Sequence, residues 1–61
     1  MKAEIVPWSQ VRPGDIILYR DELVTVTEIG REGQMLVIWF RMKGRERYIL
    51  RRPSDLASVR K

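Results

Sequence analysis

Six cations fall within twelve residues of this chain: Arg41, Lys43, Arg45, Arg47, Arg51 and Arg52, with Glu46 the one carboxylate among them. Residues of this type at this density hold anions. A guanidinium is planar, grips phosphate through two donors and stacks on flat rings, which an ammonium cannot do. Nine of the twelve cations in the whole chain are arginine, so the bias is toward that kind of contact. Phe40 stands directly before the cluster. Cations that hold phosphates beside a ring that stacks on a base are the two working parts of many nucleic-acid surfaces. Arg41, Lys43, Arg45, Arg47, Arg51, Arg52 and Phe40 are therefore the candidate nucleic-acid contacts. The plainer reading is a solvated rim, and it applies with most force to Arg51 and Arg52 at a strand end.

Covalent chemistry has little to work with. The chain has no His and no Cys, which removes the commonest general base and the commonest thiol nucleophile. Its carboxylates are scattered. The Gly30-Arg31-Glu32-Gly33 segment offers a metal one carboxylate, and it lacks the strand-to-helix setting of a phosphate-cradling loop. The expectation is a binding protein and not an enzyme, with no catalytic residue, metal, cofactor or small-molecule substrate.

Charge sharpens the choice of partner. Residues 1–30 carry three cations against five carboxylates, a net −2, and residues 31–61 carry nine against three, a net +6. Such asymmetry suits nucleic acid or an acidic protein partner. With 61 residues there is room for one domain, 1–61, and one thin core. No apolar run approaches the roughly 20 residues of a membrane-spanning helix, and the first residues lack a signal-peptide pattern. A soluble, cytoplasmic protein is the expectation, and the absence of Cys fits a reducing compartment.

The elements that must position the cluster are short strands. No repeat, low-complexity stretch or linker divides the chain, and turn signals recur every 8–12 residues or so. Arg12-Pro13-Gly14-Asp15 reads as a tight turn, with Asp15 bonded to nearby backbone. Residues 15–20 and 22–29 read as strands joined through a weak hairpin signal at Arg20-Asp21-Glu22, and Gly30–Gly33 reads as a loop. Residues 34–42 and 45–52 read as a hairpin closed by Lys43-Gly44. Pro53 ends that strand. Pro53-Ser54-Asp55-Leu56 reads as one helical turn, and residues 57–60 as a short closing strand.

A two-residue loop at Lys43-Gly44 sets the register: Met42 faces Arg45, Arg41 Glu46, Phe40 Arg47, Trp39 Tyr48, Ile38 Ile49 and Val37 Leu50. Side chains then sort onto two faces. One holds Val37, Trp39, Arg41, Glu46, Tyr48 and Leu50, and its aromatic pair and opposite charges suit a barrel interior. The other holds Leu36, Ile38, Phe40, Met42, Ile49 and the arginines, and on this reading it points outward. Three roles for that second face are open. It contacts nucleic acid through Phe40 and the arginines, or through Trp39 if the faces are reversed. It docks a protein partner, including a twin in a homodimer, through Leu36, Ile38, Phe40, Met42 and Ile49. Or the N-terminal arm (residues 1–10) folds over it, with Ile5–Trp8 completing the core.

Two stretches, Val11-Arg12-Pro13-Gly14-Asp15-Ile16 leading to Val24-Thr25-Val26, and Pro53-Ser54-Asp55-Leu56 before Val59, resemble an SH3-like barrel over residues 11–60. The first is similar to the opening of KOW-type and elongation-factor-P N-terminal barrels, and to small uncharacterised barrels of actinobacteria and their phages. The resemblance implies an all-β, single SH3-like barrel of about five short strands with one short helical turn before the last. Members of the group bind RNA, DNA, ribosomal proteins or peptides, so fold alone is an analogy for function. The leading expectation is a nucleic-acid-binding accessory module, of a phage or mobile element, acting on DNA or RNA through the Arg-rich hairpin. The alternative is a protein-interaction module using the apolar face of the same hairpin.

Overall fold

The computed structural model describes residues 3–60; Met1, Lys2 and Lys61, including the ends of the N-terminal arm and of the charge count, lie outside the described residues. Among the described residues six strands follow one another: β1 (Ala3–Pro7), β2 (Ile16–Tyr19), β3 (Glu22–Glu32), β4 (Met35–Met42), β5 (Arg45–Arg51) and β6 (Leu56–Arg60). They form one antiparallel sheet in the order β1-β6-β2-β3-β4-β5, so β1 and β5 are its two edges and the sheet is not closed. The count exceeds the expected five because residues 3–7, read as an arm, pair with β6 from Ala3↔Arg60 to Pro7↔Leu56. A single 3-10 turn, Trp8–Gln10, follows β1, and there is no α-helix among the described residues.

Local sequence explains the hairpins. Lys43 and Gly44 both take positive φ, 52° and 76°, as the two-residue turn that best matches strand twist requires. The β4–β5 register is then the expected one from Met42↔Arg45 to Val37↔Leu50. Arg20 and Asp21 make the same kind of turn without glycine, at φ 48° and 63°. Aspartate tolerates the left-handed region, and the cost at Arg20 is met by the β2–β3 ladder. The expected Gly30–Gly33 loop is narrower: Glu32 still pairs with Met35, so Gly33-Gln34 is the turn and Gly30 lies within β3.

The helical turn expected at residues 53–56 is a non-helical turn, for a specific reason. Asp55 N–H donates to the Arg52 carbonyl (3.0 Å), and the Asp55 carboxylate accepts from Arg52 N–H (3.2 Å). The Pro53 and Asp55 carbonyls, which a helix would use itself, instead accept from Ser9 and Trp8 N–H at 3.2 and 2.8 Å. The first turn makes the same pair of bonds, although Gly14 takes a positive φ of 97° where Ser54 does not. Asp15 N–H donates to the Arg12 carbonyl (3.0 Å) and the Asp15 carboxylate accepts from Arg12 N–H (2.9 Å). Arg-Pro-Gly-Asp and Arg-Pro-Ser-Asp thus share one hydrogen-bonding device on two turn conformations, a four-residue recurrence in a chain without longer repeats. Each launches one of two neighbouring strands, β2 and β6. Replacing Asp15 by Ala removes a carboxylate bond to backbone in an open setting, and we expect a loss of about 1 kcal/mol. Urea denaturation reads this directly, and Asp55→Ala should cost a similar amount.

The core lies on one face of the sheet: Trp8, Val11, Ile17, Val24, Val26, Leu36, Ile38, Phe40, Ile49, Ala57 and Val59. This reverses the expected faces. Leu36, Ile38, Phe40 and Ile49, read as outward, are buried, and Met42 packs against them. Val37 and Trp39 are half-buried, and Arg41, Glu46, Tyr48 and Leu50 are exposed on the outer face. From the N-terminal arm Trp8 joins the core and Val6 packs against it, while Ile5 is exposed.

A bulge in β3 makes that arrangement possible. Ile29 pairs with Ile38 and Glu28 with Trp39, but the register then shifts so that Val26 pairs with Phe40. Thr27 is the extra residue. A bulge of this kind puts two residues opposite one and restarts the alternation. Without it, Val24 and Val26 would face away from Ile29. With it, all three join one face, and Asp15 and Gly14 complete the exchange through bonds to Val26 (2.9 and 2.8 Å).

Candidate nucleic-acid interface

The turns of the β2–β3 and β4–β5 hairpins lie at the same end of the sheet, because β2 to β5 are consecutive and antiparallel. That end brings cations together from two parts of the chain. Arg20 arrives from the first turn, Lys43 from the second, and Arg45 and Arg47 from the inner side of the edge strand β5. With Tyr19, Glu22 and Met42 they line an open groove of about 560 Å³. Arginines on the inner side of an edge strand reach solvent past the rim, which is why they coexist with the core residue Ile49 on one face.

The groove has internal order. Lys43 Nζ lies 3.6 Å from Glu22 Oε1, tying one hairpin to the other. The Arg20 guanidinium sits 5.3 Å from the centre of the Tyr19 ring. Tyr19 in turn tilts against buried Phe40, their rings 5.0 Å apart, so its position is fixed by the core. A smaller hollow of about 270 Å³ shares Tyr19 and Arg47 with the groove and extends it toward Ile49. Among the described residues Glu22 is the only carboxylate lining the groove and it is engaged by Lys43, while Asp21 stands beside it in the turn.

Of the residues expected to act together, the structure unites Lys43, Arg45 and Arg47. Arg41 is on the outer face, in register with Glu46. Arg51 lies at the far end of β5, opposite Leu36, and bonds the Leu50 carbonyl at 2.7 Å. Arg52 belongs to the Arg-Pro-Ser-Asp turn. Phe40 is fully buried and has no face to offer a base. It enters the site by supporting Tyr19 and by walling the hollow that extends the groove. Sequence reasoning missed Arg20 and Tyr19, which are distant from the cluster in the chain. The signal was available: two hairpins in sequence place their turns at one end of an antiparallel sheet.

Elsewhere among the described residues the structure is plain. No group of three or more His, Cys, Asp or Glu could hold a metal, and no helix is long and apolar enough to cross a membrane. The seven large apolar side chains with substantial exposure are Ile5, Ile16, Leu18, Leu23, Tyr48, Leu50 and Leu56. By strand alternation all seven lie on the outer face, opposite the core. Comparisons with protein-family models, curated proteins and solved structures give no match for this chain.

Proposed function

We propose that this protein is a non-catalytic nucleic-acid-binding module that holds a single strand of DNA or RNA in the groove between the β2–β3 and β4–β5 turns. The observation that carries this reading is the convergence of Arg20, Lys43, Arg45 and Arg47 with Tyr19 on one groove. Four cations match a short run of phosphates, and the Tyr19 ring offers a base a stacking partner when the Arg20 guanidinium over it turns to a phosphate. A groove of about 560 Å³ takes a nucleotide or two and is too small for a duplex to enter. The strand order, with the last strand beside β2 and a turn before it, supports an SH3-like barrel left open at β5 as the parent architecture. The open edge leaves the groove accessible.

Salt dependence tests the proposal. Binding that neutralises three or four phosphates of a single strand has a slope of about −2 to −3 in log affinity against log salt. Between 50 and 200 mM salt, a labelled oligonucleotide should therefore lose roughly 20- to 50-fold in affinity. Fluorescence anisotropy with single- and double-stranded probes measures it, and the single strand should bind more tightly. Absence of binding at 50 mM salt would refute the proposal.

A further inference from the structure

The outer face of the β4–β5 hairpin carries three cross-strand pairs in successive rows: Val37 with Leu50, Trp39 with Tyr48, and Arg41 with Glu46. Trp39 and Tyr48 stack with ring centres 4.9 Å apart, yet Tyr48 remains 58% exposed and Leu50 42%. Arg41 and Glu46 stand opposite each other without an ion pair between them, and both are exposed. An apolar strip of this kind, ending in an exposed cation and an exposed carboxylate, is an interaction surface.

We propose that the occupant is a second copy of this chain, packed face to face about a two-fold axis that runs along the strands between β4 and β5. Such a rotation leaves each residue at its own level and exchanges the two strands. β4 of one protomer then lies over β5 of the other. Trp39 meets the twin's Tyr48, Val37 meets its Leu50, and Arg41 meets its Glu46, with every contact made twice as an isologous interface requires. The surface is complementary to itself in charge as well as in apolarity, because cation and carboxylate occupy the same row on the two exchanged strands. The exposed Tyr48 ring also has somewhere to go. A hollow of about 370 Å³ lies beside Trp39, lined by Thr27, Glu28 and Glu46, and the β3 bulge opens it.

Size sets the strength. Eight residues of β4 span roughly 27 Å, and the two overlapping strands are about 10 Å wide, so the footprint is near 270 Å² flat and about 400 Å² with side-chain relief. That falls below the ~800 Å² per partner of a standard interface, so the dimer is weak and concentration-dependent. The basic groove is on the other side of the sheet and stays open.

Sedimentation equilibrium of the protein without nucleic acid tests this. Apparent mass should rise from the 7.3 kDa of the monomer at a few micromolar toward twice that at several hundred. Arg41→Glu puts two carboxylates on each hairpin and Glu46→Arg puts two cations, so each variant alone should remain monomeric. An equimolar mixture should dimerise, since carboxylates of one then meet cations of the other. Within each variant the charges on its own hairpin still repel, so recovery in the mixture reports contact between chains. If either variant loses its β-sheet circular dichroism, Tyr48→Thr replaces it and should also be monomeric. A parent that stays monomeric throughout, or dimerisation untouched by these substitutions, overturns the proposal.

Discussion

Phe40→Ser should leave this protein largely unfolded at 25 °C, with the loss read as collapse of the β-sheet circular dichroism signal. Phe40 is among the largest side chains with no exposed surface, and its ring supports Tyr19 from below. Truncating a buried Phe to a small residue costs about 3–5 kcal/mol through lost transfer energy and the cavity left behind. Serine adds a hydroxyl with no partner in an apolar core, a further cost of about 1–3 kcal/mol. A domain of this size has roughly 3–9 kcal/mol in total. Ile38→Asp should be at least as damaging, since Ile38 is also fully buried and a carboxylate would have to ionise among apolar neighbours. Had these residues formed an external docking face, the same substitutions would leave folding intact and raise solubility. A Phe40→Ser variant with a native-like spectrum and an unchanged urea midpoint would mean that the core is elsewhere.

The same residues show how far the sequence could be read. Turn chemistry was legible, because Lys43-Gly44 and Arg12-Pro13-Gly14-Asp15 encode their backbone conformations directly, and the β4–β5 register follows from the turn alone. The choice of face was not legible there. Leu36 to Phe40 is apolar at every position, so alternation along β4 does not distinguish its two sides, and the Trp39–Tyr48 and Arg41–Glu46 pairs made the wrong face look like an interior. The deciding information sits in β3. Val24, Val26 and Ile29 break strict alternation, and only a bulge at Thr27 places them on one face with Phe40. Break and bulge could have been inferred from those three residues. Their connection to β4 could not, since it depends on a turn at Gly33-Gln34 that composition alone places a few residues early. The basic cluster suffered from a different confusion. Proximity in sequence grouped Arg41, Arg51 and Arg52 with Lys43, Arg45 and Arg47. Strand alternation, the length of β5 and the turn at Asp55 send the first three to the outer face, the far end and a separate turn.

Charge reversal at Arg45 and Arg47 should abolish nucleic-acid binding while leaving the fold in place. Both side chains are exposed on an edge strand and neither makes an ion pair among the described residues, so Arg45→Glu with Arg47→Glu should shift the urea midpoint little. The groove, however, passes from four cations against Glu22 to two cations against three carboxylates. Each lost phosphate contact removes a counterion-release contribution, and each new carboxylate adds repulsion where a phosphate must sit. At low salt we expect a loss of at least 100-fold, near the limit of detection. Arg51→Glu with Arg52→Glu changes the net charge by the same amount at the far end of β5, and its effect should be several-fold smaller. That contrast separates a site from a general electrostatic attraction. Equal losses from the two double variants would mean that the oligonucleotide senses only net charge and that the groove holds nothing in particular. Tyr19→Leu completes the comparison, because it keeps the packing on Phe40 and removes the stacking ring. A single-strand preference that disappears in that variant, with the salt slope unchanged, assigns the cations to phosphates and the ring to the base.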